Sequence, residues 1–209
     1  MKQRLFFSVL WLACSIGAFA QTVLLKKIER YTAGVSKEYG LISSERKAEL
    51  NTLADRVVAE KMKGEKPSIV FISFSNSSSS QMAQAWMQVA IERYNLKDMQ
   101  VYSSGTTEAE IDKAIISAMR NAGFKIEAIN SFVKNPKYLV AYSWDVNGIL
   151  MFSKKSDNYQ IPTSGIINVN IDDQNASVIN YNETSRKIAR EMFFMAEKIQ
   201  NSHLLSHQQ

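Results

Sequence analysis

Six serines crowd the eight positions Ser73-Phe74-Ser75-Asn76-Ser77-Ser78-Ser79-Ser80. Hydroxyls at this density suit two chemistries. One is nucleophilic attack by a serine, which needs a base because an unassisted hydroxyl stays protonated at neutral pH. The other is a cradle of hydroxyl and amide donors around an anion. The histidines bear on the choice: the chain has two, His203 and His207, both in the polar closing stretch "NSHLLSHQQ". A Ser–His–Asp triad needs its base held rigidly by the fold, so a frayed tail argues against one. No metal site and no cofactor are expected.

Cysteine chemistry is excluded in a different way. Cys14, the single cysteine, lies in a segment with the plan of an export signal. Lys2 and Arg4 form a basic start, 5–16 an apolar run, and Ala18-Phe19-Ala20 an A-x-A cleavage site. Cleavage after Ala20 leaves a chain with no thiol, hence no disulfide, thiolate metal site or cysteine nucleophile. The expected location is periplasmic or secreted, with no membrane association after cleavage. Losing Lys2 and Arg4 lowers a formal net charge of +5 by two. So small and scattered a charge gives no reason to expect nucleic acid.

The elements around the serines decide how they are presented. "SIVFIS" (68–73) is a run of β-formers leading into the serine loop, and from Ser80 the spacing of Met82, Trp86 and Val89 is helical with Met82 and Trp86 inward. "MQVYSSG" (99–105) reads as a second strand and 109–123 as a second helix ended by Gly123. Strand–helix–strand–helix at this spacing implies parallel crossovers in an α/β domain. Upstream, 22–64 reads as helical. There Leu50, Leu53, Ala54, Val57, Val58 and Met62 form one apolar stripe, with Ser43 or Ser44 as its cap and Gly64 as its end. Downstream, Asn147-Gly148 between two β-rich runs predicts an antiparallel hairpin over 137–155. "GIINVNI" (165–171) predicts another strand. A closing helix from about Asn182 buries Ile188, Met192, Met195, Ala196 and Ile199.

The strand, the loop with Asn76-Ser77, and the helix opening "SQMAQAW" resemble the low-molecular-weight protein tyrosine phosphatases and the related thioredoxin-coupled arsenate reductases, most closely the bacterial phosphatase-annotated branch. The segments 42–57, 104–124 and 181–194 are similar to that branch as well. The resemblance implies a three-layer α/β fold, a small mainly parallel sheet flanked by helices, carrying a β-hairpin and an N-terminal helical extension. The divisions are then 1–20 signal, 21–66 helical extension, 67–201 phosphatase-like domain and 202–209 disordered tail.

The family's loop is a cysteine, five residues, an arginine, then serine or threonine. Here the cysteine position is Ser73 and the arginine position Ser79, while Asn76 and Ser80 match. The thiolate is the attacking group and the arginine is the planar fork that grips phosphate oxygens. Losing one preorganised donor of that kind costs on the order of 10²–10³ in rate. The family's general acid is the aspartate of an Asp-Pro pair. Asp172-Asp173 is the corresponding place, Asp173 the closer match, with Gln174 for proline. If "GIINVNI" is instead the family's third parallel strand, neither is the acid. Arsenate reduction relays a disulfide through three cysteines, which this chain lacks.

The expectation is therefore an exported, catalytically inactive phosphatase-like protein. Ser73, Ser79 and Asp173 are vestigial positions. Ser73, Ser75, Asn76, Ser77, Ser78, Ser79 and Ser80 remain as a weak binding loop for an inorganic anion, or as part of a module for a protein partner. The alternative is slow hydrolysis of phosphate monoesters by an atypical serine loop.

Overall fold

The computed structural model describes residues 22–158, 161–162, 164–171 and 180–206. The signal segment, Asp172, Asp173 and His207 lie outside the described residues.

The elements run α1 (Lys26–Thr32), a 3-10 helix (Val35–Leu41), α2 (Ser44–Met62), β1 (Ser68–Ser73), α3 (Ser79–Arg93), β2 (Gln100–Gly105), α4 (Lys113–Ala122), β3 (Lys125–Asn130), β4 (Lys137–Ala141), β5 (Ile149–Met151), a 3-10 turn (Ser156–Asn158), β6 (Ile166–Asn170) and α5 (Tyr181–Ser206). β1 is apolar because it is the middle strand of a parallel sheet ordered β2-β1-β6, buried on both faces, with Ile69 and Phe71 inaccessible to water. Its register sets Ser73 beside Gly105 and Ile72 beside Asn170, so the sheet's carboxyl edge gathers the ends of three strands. Helix α3 packs on β1 and β2 and α2 on β6, while α5 packs against α2, α3 and α4.

β6 is the third parallel strand.

Several expectations need correction. The hairpin belongs to a separate antiparallel sheet, β3-β4-β5, whose first strand the sequence reading missed. β4 and β5 pair Val140 with Ile149, so Asn147-Gly148 does not make a two-residue turn and the connection spans 141–148. That longer loop is fixed by residues far upstream: Leu25 N donates to Tyr142 O at 2.9 Å, Trp144 N to Val23 O at 3.1 Å, and Val23 N to the Asp145 carboxylate at 3.2 Å. Residues 22–25 are accordingly an extended edge segment, not helix. The helical region upstream is also broken, with a 3-10 helix between α1 and α2.

The apolar stripe of α2 is largely as read, with Leu50, Ala54 and Val57 buried, but Met62 at the last turn is 73% exposed. Ser43 caps α2 by accepting from Arg46 N at 3.2 Å. α4 begins at Lys113, later than 109, because Asp112 caps it by accepting from Ala114 N at 2.8 Å. Gly123 ends α4 at φ 120°, and a Cβ there would meet Ile28 N of α1 at 2.7 Å. The closing stripe Ile188, Met192, Met195, Ala196 and Ile199 is buried as expected. α5 continues to Ser206, into the segment assigned to a disordered tail.

Trp86 joins the layers. Its ring stacks on Tyr31 of α1 at 5.2 Å and meets Phe124 edge-on at 4.7 Å. Its Nε1 donates to Ser185 Oγ on α5 at 3.0 Å. The segment before β1 is thus packed into the core of the α/β layers.

Candidate functional site: the serine loop

Ser73 ends β1 and Ser79 opens α3, so residues 74–78 must turn the chain from strand to helix in a short space. Asn76 makes this possible. It takes φ 50°, a left-handed conformation that asparagine tolerates better than other side chains. Fully buried, its Nδ2 donates to Ser80 Oγ at 2.8 Å, while Oδ1 accepts from Gln81 Nε2 at 2.7 Å and from Lys154 N at 3.0 Å. The asparagine is a keystone between the loop, α3 and the segment after β5.

The carbonyls of the loop have outside partners. Phe74 O accepts from the backbone N–H groups of Thr106 and Thr107, both at 3.0 Å. Ser75 O accepts from Ser153 Oγ at 2.6 Å, Asn76 O from Gln81 Nε2 at 3.0 Å, and Ser77 O from Asp112 N at 3.1 Å. In a trans peptide the C=O of one residue points opposite to the N–H of the next. Four carbonyls turned to surrounding elements therefore turn the N–H groups of 75, 76, 77 and 78 toward the loop's interior. Asn76 N donates to Ser73 Oγ at 3.1 Å. The first N–H groups of α3 add donors without intrahelical partners, and the helix dipole favours an anion there.

Gly105 lets the loop sit this close to β2. A Cβ at that position would lie 2.9 Å from Asn76 N and 3.0 Å from Asn76 Cβ, nearer than such atoms approach. On the far side, residues 152–156 form a strap. Gln81 Nε2 reaches Phe152 O at 2.6 Å, Ser153 Oγ accepts from Ala109 N at 2.9 Å, and Gly105 N donates to Lys154 O at 2.8 Å. Sequence reasoning missed this strap because its contacts around the loop join residues 44 to 78 positions apart and no motif marks its composition.

The seven expected loop residues come together, but their chemistry is muted. Ser73 Oγ lies 2.8 Å from Ser80 Oγ, and its bonded neighbours are that hydroxyl and the Asn76 amide. Among the described residues no carboxylate or imidazole bonds to it. Ser75 and Ser77 pair with each other at 2.7 Å. Asp112, which the sequence reading did not single out, is tied to the loop through its backbone. Both its side-chain oxygens are engaged, with Ala114 N at 2.8 Å and Tyr181 Oη at 2.6 Å. Ser79 brings no charge. The strap carries Lys154, 3% exposed, whose ammonium burial pushes down to about 7. Among the described residues no group of three or more His, Cys, Asp or Glu is placed to hold a metal ion, and no helix is long and apolar enough to cross a membrane.

The serine loop thus joins the end of a parallel strand to the N-terminus of a helix. Residues 68–138, from β1 into β4, match the family model of the low molecular weight phosphotyrosine protein phosphatases. Among solved structures the chain is similar to a thioredoxin-dependent arsenate reductase of Corynebacterium glutamicum, 16% identical, with 83% of this chain and 85% of that chain covered at a TM-score of 0.38. A comparison with curated proteins finds no match.

Proposed function

We propose that this protein is an exported, non-catalytic phosphatase-like module whose serine loop is a preformed cradle for an inorganic anion. The observation that carries the reading is the tethering of the carbonyls of Phe74, Ser75, Asn76 and Ser77 to other groups of the fold, which orients the loop's donor face. Preorganised donors need no reorganisation when an anion arrives. Against turnover stand Ser73, a neutral hydroxyl bonded to Ser80 and Asn76, and Ser79, a short neutral side chain in the place of a guanidinium. The signal plan of residues 1–20 supports export. A protein partner is a further role for an exposed Phe74 at the loop.

The test is incubation of the purified protein with a chromogenic aryl phosphate between pH 5 and 8. The expected result is no turnover above the buffer rate. Turnover that is lost in Ser73→Ala would establish the slow-hydrolase alternative instead.

A further inference from the structure

A second feature lies beside the loop, on the flank of α3. A cavity of about 230 Å³ opens between the end of β6, α5 and α2. Ser79, the first residue of α3 and only 7% exposed, lines it, and its hydroxyl hydrogen-bonds to none of the described residues. Thr184 and Lys187, one turn apart on α5, line it as well. Arg46 of α2 contributes a guanidinium at the wall, held by Glu191 at 2.8 Å and Glu49 at 2.7 Å. Ile188 and Met192 make the remaining face apolar.

We propose that this cavity binds a small organic anion, a carboxylate or phosphate on a compact apolar body. The anionic head sits at the Ser79 hydroxyl and the Lys187 ammonium, at the positive end of a fifteen-residue helix. The apolar body rests against Ile188 and Met192. Arg46 is matched by Glu191 and Glu49, which leaves Lys187, in no ion pair among the described residues, as the cation that favours an anion over a neutral molecule of the same shape. The cation missing from position 79 of the loop is thus supplied to the adjoining space by α5, with α2 behind it. The inference does not depend on the amide cradle being occupied, since the cavity presents side chains from α2 and α5 that the loop interior does not use.

The experiment is a titration of the purified protein, followed by amide chemical shifts, with sodium benzoate, with benzyl alcohol as its neutral counterpart, and with inorganic phosphate. Benzoate is expected to move the amides of 79, 170–171 and 184–192, while benzyl alcohol leaves them in place. Lys187→Gln, a change on an exposed position of α5, is expected to weaken benzoate by about five-fold, the loss of one charged contact. Ser79→Ala should weaken it by about the same factor. Equal shifts with benzyl alcohol, no shifts at 184–192, or unchanged affinity in Lys187→Gln would each overturn the proposal. Phosphate shifts at 74–78 report separately on the cradle. Those shifts without a benzoate response would remove this site and leave the cradle standing, and the reverse pattern would do the opposite.

Discussion

Two regions of α3 are built on opposite principles. At its start, the serine loop is held by polar bonds from other elements to its backbone: Thr106, Thr107, Asp112 and Ser153 reach its carbonyls. About two turns further on, Trp86 is held by its own side chain, wedged between Tyr31, Phe124 and Ser185. The difference means that the form of the loop rests on bonds to its backbone and not on a bulky side chain. Because the fold grips the loop by its carbonyls and by Asn76, the residues at 73 and 79 are not what shapes it. Trp86 has no such freedom, because the side chain itself is the joint between layers.

Breaking the Trp86 joint should have the largest effect. Trp86→Ala removes a fully buried ring and is expected to cost about 3–5 kcal/mol of stability, seen as a lowered midpoint in chemical denaturation. Tyr31 and the segment before β1 should loosen with it, since the ring stacks on α1. A loss under 1 kcal/mol would mean that the upstream helices do not depend on this contact.

The corresponding break at the loop is Gly105→Ala. The added Cβ meets Asn76 backbone at 2.9 Å, so either the loop or β2 must move. The expected cost is about 1–3 kcal/mol, typical of overpacking, with amide shifts concentrated at 74–77. Wild-type stability and an unchanged loop spectrum would contradict the close approach on which the cradle depends.

An effect with a sign comes from Lys154 in the strap. Its folded pKa of about 7 lies below the ordinary lysine value of 10.5. Between those two values the unfolded chain carries the proton and the folded chain does not, so stability rises with pH across that window and is level below it. Lys154→Met lacks this dependence. The difference in stability between wild type and Lys154→Met should shift in favour of wild type as pH goes from 7 toward 10, measured by urea denaturation at several pH values. A difference that stays constant with pH would show that the ammonium is solvated in the folded protein.

The sequence made some of this legible and hid the rest for reasons of range. β1 with its loop, the inward Met82 and Trp86, and the buried stripe of α5 follow from local periodicity, and Asn76 and Ser80 were readable from the loop pattern alone. The strap at 152–156, the docking of 22–25 on 142–144, and Asp112 under Ser77 are contacts between distant segments that no local pattern announces. β3 was missed because its residues alternate weakly, with Ile126 its single buried side chain. The two-residue turn at Asn147-Gly148 was overridden by tertiary hydrogen bonds from Val23 and Leu25.

The account stands most directly on the amide cradle, and a phosphate titration followed by the amide shifts of residues 74–81 tests it. Neutral donors and one helix end, whose dipole contributes about 0.3–1 kcal/mol at an exposed terminus, must hold the anion without a guanidinium. The predicted outcome is saturable shifts confined to the loop, with a Kd near or above 1 mM, about 4 kcal/mol of binding, weakened by added salt. Saturation at micromolar phosphate would reveal a cation serving the loop interior, and the absence of any loop shift would show that the inward amides do not form an anion site.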